Sequence, residues 1–149
     1  MLSSAALFPS LEPAAAEAPA MRTGVVLLVE DEDPLAELLA TLLARIKVRV
    51  IRAADGAQAV RLFNEHRATI VLALVDCHLP DTGGAELCRT LRETAPGLPL
   101  LLTSGRDQRA LEAKLAADGP CQFLPKPYMP GDVVRRITSL LPPADGTFV

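Results

Sequence analysis

Short apolar runs alternate with amphipathic stretches from residue 24 onward, and this alternation strongly limits what the chain can fold into. The first run, Val25–Val29, is apolar at every position, as in a strand that is covered on both faces. The leucines of residues 35–43 then recur at helical spacing, with Asp33 as the predicted N-cap and Pro34 as the first helical residue. The repeating unit is therefore a strand followed by an amphipathic helix.

Four more units of this kind follow the first. Strands, each followed by a helical stripe, are predicted at residues 25–29, 48–52, 70–75, 100–103 and 122–124. Right-handed connections between parallel strands place the helices on both faces of the sheet. The sequence thus predicts an α/β fold, a doubly wound five-stranded parallel sheet with five helices.

The 149-residue chain is long enough for one domain with a single core, which we assign to residues 23–142. Residues 1–22 are predicted to be a disordered Ala/Pro-rich tail, because prolines break any helix and too few large apolar residues are present for a core. Two glutamates also interrupt this tract, which is atypical of a signal peptide. Residues 143–149 form a second, short tail.

Composition narrows the classes of function. Half of the residues are apolar and 22% are charged, as in a soluble globular protein. The net charge of −3 and the scattered Lys and Arg argue against nucleic-acid binding, and no run approaches the roughly 18 apolar residues of a membrane span. Cys77, Cys88 and Cys121 lack metal-binding spacing, so we interpret them as small buried residues in a reducing cytoplasm.

Polar side chains follow four of the predicted strands. In open parallel sheets, ligands bind beyond the carboxyl ends of the strands. The residues at those ends are Glu30, Asp31, Asp76, Thr103, Ser104 and Lys126. Because carboxylates held together repel one another unless a hard cation joins them, the three acidic residues predict a Mg²⁺ site. Asp76 could then act as a nucleophile toward a phosphoryl group, with Lys126 and Ser104 holding the phosphoryl oxygens.

The same residues lie in motifs that resemble the response regulator receiver family of two-component signalling. Residues 25–32 (VVLLVEDE) resemble its first strand and acidic pair, and residues 74–84 (LVDCHLPDTGG) resemble its phosphoacceptor motif. Residues 98–105 (LPLLLTSG) contain its hydroxyl position, and residues 123–127 (FLPKP) resemble its lysine-proline signature. The resemblance covers residues 25–141 and implies the flavodoxin-like receiver fold.

The resemblance also implies site roles. Asp76 would be the phosphoacceptor, and Mg²⁺ would bind Glu30, Asp31, Asp76 and the backbone carbonyl of His78. Pro80 and Gly84 would support the acceptor loop.

The remaining roles belong to the switch. Ser104 is preferred to Thr103 as the switch hydroxyl because it lies five residues after Pro99 and 22 before the lysine, as in similar receivers. Phe123, three residues before Lys126, is the aromatic switch candidate. The bond between Lys126 and Pro127 is expected to be cis, as in relatives.

The implied function is phosphoryl acceptance in a phosphorelay. A sensor histidine kinase or histidine phosphotransfer protein would donate the group, and the signal would pass by contact with a downstream protein target. The chain would be no enzyme beyond its own phosphorylation and dephosphorylation. Since too few residues follow the domain for an output domain, we expect a single-domain regulator or a receiver cut from a larger kinase.

Two alternatives stay open. A pseudo-receiver that is never phosphorylated would act only as a docking module. An aspartyl-nucleophile phosphohydrolase would usually carry a second carboxylate two residues after the nucleophile, where this chain has His78.

Overall fold

The computed structural model describes residues 24–104 and 109–141 of the chain. Strands and helices alternate along these residues. In chain order they are β1 (Val25–Val29), α1 (Asp33–Arg45), β2 (Arg49–Ala53), α2 (Gly56–His66), β3 (Ile70–Asp76), α3 (Gly84–Thr94), β4 (Leu100–Ser104), α4 (Arg109–Ala117), β5 (Cys121–Pro125) and α5 (Pro130–Leu140). The predicted tails, residues 1–22 and 143–149, lie outside the described residues.

The five strands pair in parallel in one sheet, in the order β2-β1-β3-β4-β5. The chain runs outward from β1 to β2 and then crosses to β3 on the other side of β1. Open α/β sheets bind ligands where the strand order reverses in this way. The predicted doubly wound parallel fold is confirmed, and β2 lies at one edge of the sheet.

The strands are apolar on both faces because each face supports a separate core. In β1, Leu28 packs into one core with Leu39 of α1 and Ile137 of α5. Its neighbour Leu27 points the other way and packs with Phe63 of α2. Successive residues of a strand face opposite sides of the sheet. Both faces can therefore be buried in an apolar core only if the strand is apolar at every position.

The predicted start of α1 was wrong by one residue. Asp33 is the first helical residue, and Glu32 is the N-cap, with an extended backbone and no side-chain hydrogen bond to the helix. The carbonyl of Glu32 accepts the N–H of Ala36, whereas the carboxylate of Asp33 pairs with Arg52, with Nη1 and Oδ1 2.7 Å apart. A negative charge in the first turn also favours the helix dipole.

The predicted burial of the cysteines is correct for Cys77 and Cys88, whereas Cys121 is half-buried. Burial raises the pKa of Cys88 to about 12. That thiol therefore stays protonated at neutral pH and packs as a small apolar side chain.

Within residues 24–104 and 109–141, no helix has the length and apolar character needed to cross a membrane.

Candidate functional site

Three carboxylates meet beyond the carboxyl ends of β1 and β3. One oxygen from each of Glu30, Asp31 and Asp76 lies within 4.8 Å of the others. Glu30 directly follows β1 and is 3% exposed, and Asp76 ends β3 and is 5% exposed. Asp31 is exposed, so the cluster is open to solvent on its side.

Glu30 is held by three contacts. Its N–H donates to the carbonyl of Ala53 at 3.0 Å, which extends the pairing of β1 with β2. Its carbonyl accepts from Nη2 of Arg52 at 2.9 Å, and its carboxylate accepts from the N–H of Glu32 at 3.1 Å. Burial raises the pKa of Glu30 to about 7, because the charged form loses hydration, and the charge of Asp76 adds to the effect.

Asp76 is in contact with a lysine and a hydroxyl. Nζ of Lys126 donates to Oδ1 of Asp76 at 2.7 Å, and Oγ1 of Thr103 donates to the same oxygen at 3.3 Å. No hydrogen bond joins Oδ2 to the described part of the chain. Burial lowers the pKa of Lys126, but the hydrogen bond to Asp76 and the charges of Asp76 and Glu30 outweigh it, so the pKa is raised. The lysine is therefore a cation at neutral pH.

The loop after Asp76 packs tightly against the end of β3. The N–H of Gly84 donates to the carbonyl of Cys77 at 2.9 Å. A Cβ at residue 84 would lie 2.4 Å from the carbonyl oxygen of Asp76, so only glycine fits without a shift. The side chain of His78 is exposed, and its backbone forms an isolated antiparallel bridge with Gly83.

Of the two hydroxyl candidates, the structure describes the side chain of Thr103 only. Thr103 is 2% exposed and contacts Asp76, which it faces across the β3–β4 pairing. Ser104 ends β4 opposite Pro125 of β5, and its side chain lies outside the described part of the chain. The switch role of Ser104 therefore stays a prediction.

The other predicted residues lie on β5 and the loops around it. Phe123 is half-buried and packs against the core that contains Phe63. The peptide bond between Lys126 and Pro127 is cis, as the resemblance implies. Pro80 is exposed in the loop between β3 and α3.

Sequence reasoning missed two charged residues that support this site. Arg52 binds the segment that carries the acidic pair. Asp81, in the loop after Asp76, accepts from the N–H groups of Gly56 and Ala57 at 2.8 and 3.0 Å and so ties that loop to the start of α2. These hydrogen bonds lower the pKa of Asp81. No pattern in the sequence distinguishes either residue from an ordinary surface charge.

Tyr128 was also missed. Its hydroxyl is buried and has no hydrogen-bond partner among the described residues. Burial, followed by the charge of Glu30, raises its pKa. Tyr128 is the only tyrosine of the chain.

The donor set fits a hard divalent cation. Carboxylate oxygens are the ligands that Mg²⁺ prefers, and it usually keeps several waters beside one or two carboxylates. A cluster with two buried carboxylates and one solvent-exposed carboxylate can provide such ligands and room for waters. A bound cation would also relieve the repulsion between Glu30 and Asp76.

The fold and the site define a class of protein: a doubly wound α/β domain with three carboxylates and a lysine where the strand order reverses. The family model described as the response regulator receiver domain matches residues 26–138. The chain belongs to the response regulator receiver domain family. Members of this family accept phosphoryl groups from histidine kinases and bind Mg²⁺ at an acidic pocket.

Two curated relatives illustrate the range of proteins that contain such a domain. The transcriptional regulatory protein GltR of Pseudomonas aeruginosa is 34% identical over 129 residues, which are 83% of this chain and 51% of that protein. The sensor kinase CckA of Brucella abortus is 30% identical over 123 residues, 83% of this chain and 13% of the kinase. The chain thus spans about half the length of GltR and a small part of CckA.

A solved structure shows the same fold. A chain in the crystal structure of the CheX–CheY–BeF3–Mg²⁺ complex from Borrelia burgdorferi superimposes with a TM-score of 0.71 at 23% identity. The match covers 78% of this chain and 87% of that one.

Proposed function

We propose that this chain is a phosphoryl-accepting receiver in a two-component phosphorelay and that Asp76 is the residue that is phosphorylated. The observation that carries the proposal is the contact between Nζ of Lys126 and Oδ1 of the buried Asp76, at 2.7 Å. Glu30 and Asp31 lie beside this contact. The carboxylate of Asp76 therefore has the ammonium group of Lys126 at one oxygen and two further carboxylates nearby.

The chemistry asks for positioning and charge neutralisation rather than for a general acid or base. A carboxylate oxygen of Asp76 attacks the phosphorus of a phosphohistidine on the donor protein. The P–N bond breaks, and its electron pair leaves with the imidazole of the donor. Lys126 balances the negative charge, and Thr103 donates to the carboxylate.

Four groups would hold the cation: the carboxylates of Glu30, Asp31 and Asp76 and the carbonyl of His78. Bound Mg²⁺ would neutralise charge on the phosphoryl oxygens. The remaining predicted residues support the geometry. Gly84 allows the acceptor loop to approach the strand, and Pro80 and Pro127 restrict the loops on either side.

Signalling would follow from a two-state change. Ser104 turns toward the new phosphoryl group, and Phe123 fills the space that the serine leaves. The partly buried position of Phe123 supports this role, as does the hydrogen bond from Arg136 of α5 to its carbonyl at 3.0 Å. The face formed by α4, β5 and α5 then changes its preference for a downstream protein target. The proposed donor is a cytoplasmic sensor histidine kinase or histidine phosphotransfer protein.

The direct test is intact mass after incubation of the full chain with Mg²⁺ and a small acyl phosphate. We expect one phosphoryl adduct on the wild type and none on Asp76→Asn, because the nucleophilic carboxylate is gone. Asp118→Asn is the matched control, since it removes the same charge at an exposed residue beyond α4. Stoichiometric labelling of Asp76→Asn would disprove the assignment.

Other outcomes would favour the alternatives. A wild type that takes no adduct and binds no Mg²⁺ would be a docking module without phosphorylation. Repeated turnover of a simple phosphate ester would indicate a phosphohydrolase. The exposed His78, two residues after Asp76, provides no carboxylate for the general acid of that reaction.

A further inference from the structure

Arg52 lies at the carboxyl end of β2, beside the carboxylate cluster. Its guanidinium donates from Nε and Nη2 to the carbonyl oxygen of Glu30, at 3.3 and 2.9 Å. Nη1 pairs with Oδ1 of Asp33 at 2.7 Å. These two acceptors lie on either side of Asp31, so one side chain bridges the segment that carries the acidic pair.

The guanidinium is itself attached to a rigid element. Arg52 pairs with Leu28 in the parallel register of β1 and β2, and the next residue, Ala53, accepts the N–H of Glu30. The side chain is 31% exposed, so the hydrogen bonds to Glu30 are partly shielded from water. Because the guanidinium is planar, its donors form a fixed fork and cannot rearrange independently.

We propose that Arg52 is a positioning residue for the divalent cation. It holds the segment between β1 and α1 so that the carboxylates of Glu30 and Asp31 lie close to Asp76 before the cation binds. The proposal rests on the function proposed above, because the cation matters through phosphorylation of Asp76. Carboxylates that are already held in place lose less conformational freedom when the cation binds, so the cation binds more tightly.

The geometry favours positioning over general stabilisation. Asp33 is 74% exposed at its side chain, and exposed ion pairs contribute little to stability. The contact that matters is the one to the carbonyl of Glu30, since it fixes the backbone of a residue that offers a ligand atom.

A rival explanation predicts the opposite change in Mg²⁺ affinity when Arg52 is replaced. The guanidinium is positively charged and would repel a cation nearby. If repulsion dominated, removal of the charge would strengthen Mg²⁺ binding. If positioning dominates, removal weakens it.

The experiment compares Arg52→Gln, Arg52→Lys and Arg49→Gln in the full chain. Arg49 lies at the opposite end of β2 and is exposed, and its side chain makes no hydrogen bond or ion pair within the described residues, so its variant loses the same charge without the contacts. The Mg²⁺ dissociation constant is measured by calorimetry. The rate of phosphorylation by a small acyl phosphate is measured as a function of Mg²⁺ concentration.

We expect Arg52→Gln to weaken Mg²⁺ binding about tenfold while the rate at saturating Mg²⁺ stays at the wild-type value. Arg52→Lys should also weaken binding, because an ammonium keeps the charge but lacks the fork. Arg49→Gln should bind as the wild type does. Unchanged or tighter binding by Arg52→Gln would overturn the proposal.

A milder variant keeps the test valid if Arg52→Gln folds poorly. Asp33→Ala removes only the exposed acceptor of Arg52 and should weaken Mg²⁺ binding by a few-fold at most. Added to Arg52→Lys, it should cause no further loss, whereas an additive loss would contradict a bridge. Wild-type protein that neither binds Mg²⁺ nor accepts a phosphoryl group would instead reject the proposed function itself.

Discussion

Burial of Glu30 at the end of β1 disfavours the ionised form of its carboxyl group, which is the form that binds a cation. The residue is 3% exposed, and the pKa of its carboxyl group is raised to about 7, chiefly by desolvation. A carboxyl group whose pKa is higher in the folded than in the unfolded chain stabilises the fold most below its unfolded pKa. This stabilisation is lost as the pH rises through the folded pKa. Without a cation, the contribution of Glu30 to the stability of the domain should therefore be lost between pH 4.5 and about 7.

Glu30→Gln should reverse this loss in the absence of Mg²⁺. The amide cannot ionise, so we expect the variant to gain up to about 3 kcal/mol over the wild type as the pH rises from 5 to 8 in EDTA. Urea unfolding across this range measures the gain. Glu37→Gln, at an exposed position on α1, is the control and should follow the wild type. A gain that is constant with pH would show that the titration of Glu30 is not responsible.

At the scale of elements, the start of α3 is set by a glycine. Gly84 is buried against β3, and a Cβ there would lie 2.4 Å from the carbonyl oxygen of Asp76 and 2.6 Å from Cα of Cys77. The preceding Gly83 is the N-cap and has nothing within 4 Å of the same built atom. Two neighbouring glycines thus differ sharply in the space around them.

Gly84→Ala should displace α3 or the acceptor loop, because backbone on β3 cannot move away. We expect a loss of stability of roughly 1–3 kcal/mol, with slower phosphorylation of Asp76. Gly83→Ala should cost less, since only the N-cap preference is lost. Thermal unfolding and the rate of adduct formation measure both variants. Equal effects at the two positions would contradict the close approach.

At the scale of the whole molecule, Arg92 connects three segments in the second half of the fold. It is 7% exposed on α3, and its guanidinium donates to the carbonyls of Leu98, Leu115 and Pro120, at 3.3, 2.5 and 2.5 Å. These carbonyls belong to the approach to β4, the last turn of α4 and the connection to β5. The positive charge also suits the negative end of the α4 dipole.

Arg92→Met should weaken the whole domain, because three carbonyls lose their donor while the apolar stem is kept. A loss of about 3 kcal/mol is expected in urea unfolding at pH 7. Arg89→Met, on the exposed side of the same helix, should stay within about 0.5 kcal/mol of the wild type. If the two variants lost equal stability, the buried contacts of Arg92 would not be responsible.

The elements that sequence predicted well are those whose signal is local. The run at Val25–Val29 is apolar at each position, so its place as a doubly covered strand followed directly. The start of α1 was predicted one residue too late, because Glu32 takes the N-cap position through its backbone, without the side-chain hydrogen bond on which the prediction for Asp33 depended. The strand-end rule placed Glu30, Asp31, Asp76 and Lys126 together without any knowledge of their side-chain geometry.

By itself, the sequence determined the order of strands and helices, the two-sided sheet and the set of polar residues at its carboxyl edge. Hydrophobic periodicity and the direction of each strand can be read from the sequence without knowing which residues meet in the folded chain. Only the tertiary structure decided which donors meet which acceptors, as with Arg52 at Glu30 and Arg92 at three carbonyls. The physical reason is that every residue carries a backbone carbonyl, so nothing in the sequence marks the one that a distant guanidinium will reach.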